Sequence, residues 1–175
     1  MKKFLIVVDM QKDFVDGALG TPEAQKIVDK VAEKILNFDG YIIATMDTHK
    51  EDYMETREGK FLPVKHCINE SEGWKIDEKV MDALKKRGCS ILTKPTFGSV
   101  ALVEKLKKDA FSDEQLDIEL VGLCTDICVV SNALLLKANF PEAEIAVDAS
   151  CCAGVTPEKH QAALETMRSC QIVIK

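Results

Sequence analysis

Apolar residues recur along this chain in two alternating rhythms. Short runs rich in Ile, Val and Leu occur at Phe4–Val8, Tyr41–Thr45, Ser90–Thr93, Ile118–Gly122, Glu144–Val147 and Ile172–Ile174. They are nearly continuous rather than alternating, the pattern of strands buried on both faces. Between them, apolar positions fall three and four apart. Ala24, Ile27, Val28, Val31 and Ile35 share one helical face, as do Val80, Met81 and Leu84, and then Val100, Val103 and Leu106, with Lys and Glu opposite. Thr21-Pro22-Glu23 and Thr156-Pro157-Glu158 each read as an N-cap followed by proline at the first helical position. Six β–α alternations predict an α/β fold, a doubly wound and mostly parallel six-stranded sheet with helices on both faces.

No period of 20–50 residues repeats and no Pro/Gly/Ser linker divides the chain, so residues 1–175 read as a single domain. Two connections are long, Asp9–Pro22 and Asp47–Ile76, and long loops in a compact α/β domain are commonly functional. Ligands of such sheets sit outside the carboxyl ends of the strands, so the residues just past each apolar run are the place to look for chemistry. They are Asp9 after the first run, Asp47 and His49 after the second, Lys94 after the third, and Thr125, Asp126 and Cys128 after the fourth. An acid, a base, a thiol and possible metal ligands converge on one edge.

Composition narrows the setting. With 29 acidic against 23 basic side chains the net charge is −6, which favours neither nucleic acid nor an anionic membrane as partner. The longest apolar runs resemble Phe4–Val8, far short of the roughly 20 residues of a membrane helix, and Asp9 ends that run too early for a signal-peptide core. Seven cysteines, an odd number without an export signal, point to a reducing cytoplasm where thiols are core filler, metal ligands or nucleophiles.

Six of the seven cysteines have ordinary explanations as buried thiols: Cys89 and Cys170 flank strands, Cys151 and Cys152 lie in a loop, Cys124 closes a strand and Cys67 follows His66. Cys128 differs. Its strand ends at Gly122, the chain turns, and a helix is expected to begin with Thr125 or Asp126 as N-cap. That places Cys128 in a first helical turn, where free amides and the macrodipole favour a thiolate, with Lys94 as a second push and Asp9 as proton shuttle. Taken singly, Asp9 equally fits a loop cap and Lys94 an ordinary strand-end lysine.

The ordered segments Val8-Asp9-Met10-Gln11-Lys12-Asp13-Phe14, Thr45-Met46-Asp47-Thr48-His49, His66-Cys67, Lys94 and Gly122-Leu123-Cys124-Thr125-Asp126-Ile127-Cys128-Val129 resemble the nicotinamidase branch of the isochorismatase-like cysteine hydrolases. The resemblance spans essentially the whole chain. It implies a Cys-Asp-Lys triad at Cys128, Asp9 and Lys94, a cis peptide at Leu123–Cys124, and an oxyanion hole formed by the amides of Cys124 and Cys128. It also implies a divalent ion, zinc, iron or manganese, held by Asp47, His49 and His66. Some members add an acidic ligand between the two histidines; Glu58 is the choice here, ahead of Glu55. A homo-oligomer is expected from the resemblance alone. His160, in the last polar helix, is expected to face solvent.

The chain departs from the family pattern twice. The family's Trp-Pro-x-His-Cys is here Leu62-Pro63-Val64-Lys65-His66-Cys67, without tryptophan and one residue longer, and Lys12 stands where asparagine is usual, beside Asp9. Phe14, Phe97 and Leu123 are the expected walls for a flat ring, and Trp74 is a candidate for the missing one. The expected activity is hydrolysis of a small carboxamide, nicotinamide first. Rival readings are another small amide, isochorismate, a thiol-rich metal-binding or redox-sensing protein, and a structural α/β partner module. No Gly-x-Gly-x-x-Gly, Walker A or Gly-x-Ser-x-Gly motif occurs, so neither a nucleotide cofactor nor a serine hydrolase is expected.

Overall fold

A computed structural model describes residues 1–109 and 115–175. The chain runs β1 (Lys2–Val8), α1 (Lys12–Val15), α2 (Pro22–Asn37), β2 (Tyr41–Asp47), a 3₁₀ turn (Tyr53–Glu55), α3 (Arg57–Phe61), α4 (Glu78–Arg87), β3 (Ser90–Lys94) and α5 (Val100–Asp109). It continues through β4 (Leu116–Leu123), a π-helical turn (Thr125–Val129), α6 (Val130–Asn139), β5 (Glu144–Ala153), α7 (Pro157–Ser169) and β6 (Val173–Ile174). The strand order is β3-β2-β1-β4-β5-β6 and every neighbouring pair is parallel. The expected doubly wound sheet is therefore present. Its order reverses between β1 and β4, and that switch point is where such sheets open a crevice.

The two faces of the sheet bury separate cores. Leu5 and Val7 of β1 and Ile42 and Ala44 of β2 pack against Ile27, Val31 and Ile35 of α2 and Val80 and Leu84 of α4. On the other face, Phe4, Ile6 and Val8 meet Leu102 and Leu106 of α5, Ala133 and Leu136 of α6, and Leu164 and Met167 of α7. β1 faces a core on each side, which is why its residues are apolar without alternation. The Thr21 and Thr156 hydroxyls accept the amides of Ala24 and Lys159, so both expected N-caps form.

Three expectations need correction. β5 runs on to Ala153, so Cys151 and Cys152 are buried strand residues rather than loop residues; the polar stretch Asp148-Ala149-Ser150 hides the continuation, and the β4–β5 register shifts between Leu120 and Gly122 to absorb it. β3 is an edge strand with Ile91 and Thr93 exposed, not one buried on both faces. The long connections also contain α1, α3 and the 3₁₀ turn, elements too short to show a helical period.

One glycine sets the spacing of the crevice. Gly122 pairs with Val8, adopts φ 118°, and a Cβ there would lie 2.1 Å from the Val8 carbonyl oxygen. Both the backbone conformation and the close approach demand glycine. Gly122→Ala is therefore expected to destabilise the fold by about 3 kcal/mol or more, as a lower urea midpoint at unchanged slope. A midpoint equal to that of the parent protein would show that the two strand ends can part without loss.

Candidate active site

The carboxyl ends of β1, β2, β3 and β4 bring Asp9, Asp47, Lys94 and the Cys128 turn together. Asp47 and Lys94 are direct partners in the β2–β3 register. The Lys94 side chain is fully buried, with Nζ 2.6 Å from Asp9 Oδ2, 3.3 Å from Cys128 Sγ and 3.4 Å from Asp47 Oδ1. It also donates to the Thr96 carbonyl at 3.0 Å. Asp9 leaves β1 in the left-handed region, at φ 47°, a conformation costly for a residue with a Cβ. Its Oδ1 accepts the Thr45 hydroxyl at 2.7 Å. Its Oδ2 faces the Lys94 ammonium, whose charge draws the carboxyl pKa down against the effect of burial.

Charge in this pocket is governed by burial. Desolvation raises the Asp9 carboxyl above the ordinary aspartate range, against the pull of Lys94. Burial likewise pushes the Cys128 thiol up, the Asp9 charge adds to this, and Lys94 opposes it. Burial and the Asp9 charge thus work against the thiolate that a helix terminus would favour, and Lys94 works for it. Lys94 is pulled toward charge by Asp9, Cys128 and Asp47 despite its burial.

The turn that carries Cys128 differs in detail from a capped helix. Leu123–Cys124 is a cis peptide, as the family resemblance implies. Cys124, not Thr125 or Asp126, is the N-cap, and the Ile127 and Val129 amides both return to its carbonyl at 3.1 and 3.0 Å. The Thr125 hydroxyl instead meets His160 Nδ1 at 2.8 Å, and Asp126 Oδ1 accepts the Val155 amide at 3.0 Å. His160 is therefore half-buried and bound to this turn rather than facing solvent, because α7 packs its first turn against it.

Asp47, His49 and His66 offer ligand atoms that all lie within 4.8 Å of one another, and all three residues are buried. His49 Nε2 is 2.9 Å from Asp47 Oδ2, so these two possible ligand atoms sit side by side. His66 Nδ1 lies 2.8 Å from the Val64 carbonyl, which fixes the proton on Nδ1 and leaves the Nε2 lone pair free. These residues fit a divalent metal ion. Glu58 Oε1 stands 3.6 Å from His49 Nε2 and 4.0 Å from His66 Nε2, beside the cluster, whereas Glu55 is exposed. Burial would raise the Asp47 pKa, but the two histidines and Lys94 hold it well below the usual carboxylate range.

Several supports carry no sequence signal beyond their place in a motif. Gln11 donates to the Asp47 and Trp74 carbonyls and accepts the Asp47 amide, each within 2.8 Å. Asp13 Oδ2 accepts the Cys67 amide at 2.7 Å, tying down the turn next to His66. Tyr53, wholly buried, sets its ring 4.7 Å from His49, tilted, and 5.0 Å from His66, edge-on; burial pushes its hydroxyl up to about 12. Lys12 does not enter the surroundings of Asp9: it pairs with Glu72 and Glu78 at the surface.

A pocket of about 240 Å³ opens onto Cys128, bounded by Phe14, Phe97, Leu123, Ile127 and Leu62, with Asp47, Glu58 and His66 at one end. All three expected wall residues, Phe14, Phe97 and Leu123, line it. Trp74 does not; it lines a separate groove and donates from its indole nitrogen to Thr48. Leu62 is the side chain from the altered Leu-Pro segment that reaches the pocket.

Residues 3–175 match the isochorismatase domain, and the chain belongs to that family. Its fold is that of isochorismatase-like hydrolases. The chain is 30% identical over 151 residues to the uncharacterized isochorismatase family protein PncA of Bacillus subtilis (strain 168), covering 77% of this chain and 78% of that one. Among solved structures it is similar to the nicotinamidase/pyrazinamidase PncA of Bacillus subtilis, at 27% identity and TM-score 0.86, with 99% of each chain covered. It is also similar to the pyrazinamidase of Pyrococcus horikoshii in complex with zinc, at 28% identity and TM-score 0.81, covering 100% of this chain and 99% of that one.

The cluster makes a prediction about metal affinity. Burial disfavours a charge on His66, but the Asp47 carboxylate and the Val64 carbonyl outweigh it and raise its pKa. A proton therefore competes for Nε2 as pH falls, and zinc affinity should drop by up to about tenfold per unit between about pH 8 and pH 5.5. Competition against a chromogenic chelator measures this, and His49→Ala should abolish the stoichiometric site. Affinity that is flat across that range, or unaffected by His49→Ala, would place zinc elsewhere.

Proposed function

We propose that this amidohydrolase of the isochorismatase family is a nicotinamidase, converting nicotinamide and water to nicotinate and ammonia in pyridine nucleotide salvage. The observation that carries the reading is the buried Asp9–Lys94–Cys128 cluster at the base of a small, mainly apolar pocket, next to Asp47, His49 and His66. About 240 Å³ suits one neutral ring with a carboxamide. The nicotinamidase and pyrazinamidase relatives act on such rings. Dianionic isochorismate would set two carboxylates against mostly apolar walls, at a high desolvation cost.

The proposed chemistry follows from the placement of these groups. Cys128 Sγ attacks the carboxamide carbon while its proton passes to the Asp9 carboxylate, which shares the Lys94 ammonium with the thiol. The amides of Cys124 and Cys128 receive the developing oxyanion. Asp9 returns the proton to the nitrogen, the C–N bond breaks and ammonia leaves a thioester on Cys128. Asp9 then takes a proton from water; the new C–O bond forms, the C–S bond breaks, and the proton returns to sulfur. Lys94 balances the charge that moves between Asp9 and Cys128. Asp47, His49 and His66, with Glu58 beside them, would hold a divalent ion, zinc by their donor set, which when bound supplies a Lewis acid for a ring lone pair.

Ammonia release from nicotinamide tests this directly. Cys128→Ala and Asp9→Asn should each lower kcat by about a thousandfold or more, and the double variant should be little worse than either, as expected of groups acting in one step. Multiplying losses would make Asp9 structural. Benzamide, which has the amide but not the ring nitrogen, should be turned over far more slowly. Chelator should depress nicotinamide turnover strongly and benzamide turnover slightly. Equal kcat/KM for both amides in the metal-loaded enzyme would return the substrate question to the wider family.

A further inference from the structure

The strand that delivers Lys94 and the strand that leads to Cys128 are not neighbours: β2 and β1 lie between β3 and β4. At about 4.8 Å per strand, three spacings separate them, so the sheet ladder alone does not set the 3.3 Å approach of Nζ to Sγ. The ion pairs of Lys94 with Asp9 and Asp47 hold its ammonium, and contacts between the segments that follow β3 and β4 can hold the backbone on either side. Among the described residues, the hydrogen bonds joining the 95–99 segment after Lys94 to the Cys128 turn and α6 are those of one side chain, Asn132. Its Nδ2 donates to the Cys128 carbonyl at 2.8 Å and to the Phe97 carbonyl at 3.1 Å, and its Oδ1 accepts the Ser99 amide at 2.9 Å.

Asn132 is wholly buried in the first turn of α6, amid Leu102, Val129 and Ala133 of the apolar core. A buried amide is retained there only if its polar atoms are satisfied, and both donors and one acceptor position are used. What it satisfies lies on both sides of the site: the carbonyl of Cys128, the carbonyl of the pocket wall Phe97, and the amide of Ser99, whose hydroxyl in turn accepts the Leu102 amide at the start of α5. Lys94 is tied into the same segment through the Thr96 carbonyl. Asn132 does not line the pocket, and its hydrogen bond to Cys128 goes to the carbonyl.

We infer that Asn132 is a positioning residue, a clamp that sets Lys94 Nζ against Cys128 Sγ by joining the two chain segments that carry them. It acts on the nucleophile through backbone, and its removal should spare substrate binding more than the chemical step. This inference rests on the cysteine-hydrolase reading of the site. Two variants test it: Asn132→Leu, which keeps the branched shape without hydrogen bonds, and Asn132→Ala, which cannot overpack if the bulkier Leu prevents folding.

Two readouts are needed. The first is nicotinamide kinetics, where kcat is expected to fall about thirtyfold while KM changes less than about threefold. The second is the rate at which iodoacetamide alkylates Cys128, followed on its own peptide by mass spectrometry, expected to fall about tenfold as Lys94 loses its place. Near-UV circular dichroism confirms that each variant is folded at the assay temperature. Lower thermal stability with unchanged kcat and unchanged alkylation would overturn the proposal. If the parent protein does not hydrolyse nicotinamide, the substrate reading fails on its own, and the alkylation rates still decide whether Asn132 sets the contact.

Discussion

A single buried ammonium organises this site. Lys94 Nζ, on a fully buried side chain, has Asp9, Asp47, Cys128 and the Thr96 carbonyl around it. An isolated cation at that depth would be prohibitively costly, and so would two carboxylates without it. Each side of the arrangement exists because the other does. Asp47 extends the coupling outward, since its Oδ1 faces Lys94 while its Oδ2 faces His49 and His66. Cys128 and the cluster of Asp47, His49 and His66 therefore share one electrostatic system, and a change in either is felt by the other.

That system needs backbone held in unfavourable or crowded places. Asp9 occupies the left-handed region as it leaves β1, and Gly122 lets β4 pass close to Val8. The Asp-x-Gln-x-Asp-Phe segment acquires a physical meaning here. Asp9 meets the lysine, Gln11 holds the backbone of Asp47 and Trp74, Asp13 holds the amide of Cys67, and Phe14 walls the pocket. One short stretch thus grips both ends of the long connection that brings His49 and His66 together. Its side chains take over the hydrogen bonding that a loop of this length cannot supply from its own backbone.

The Cys128 turn is held in the same manner. Asn132 grips it from α6, His160 through Thr125 from α7, and the backbone after β5 through Asp126. Cys128 accordingly sits on rigid elements rather than on a free loop, the placement that the proposed attack requires. Burial raises the pKa of both its thiol and the Asp9 carboxyl.

The chain's own pattern determined the architecture and the cast of the site. Continuous apolar runs alternating with amphipathic stretches can bury themselves only as a central parallel sheet covered on both faces, and the rule that ligands sit at strand carboxyl ends then picks out Asp9, Asp47, His49, Lys94 and Cys128. Residue type at a strand end is local information, so it is legible. What the fold alone decided depends on distant packing. Cys151 and Cys152 joined β5 through a register shift, Ile91 was exposed by the edge position of β3, and Trp74 covered a separate groove. His160 turned inward because α7 packs onto the Cys128 turn, and Gln11, Tyr53 and Asn132 gained their roles from neighbours remote in sequence. The environment of the Cys128 thiol was decided the same way: a helix terminus and a lysine favour a thiolate, and desolvation, which exists only once the chain has closed around the thiol, pushes its pKa up.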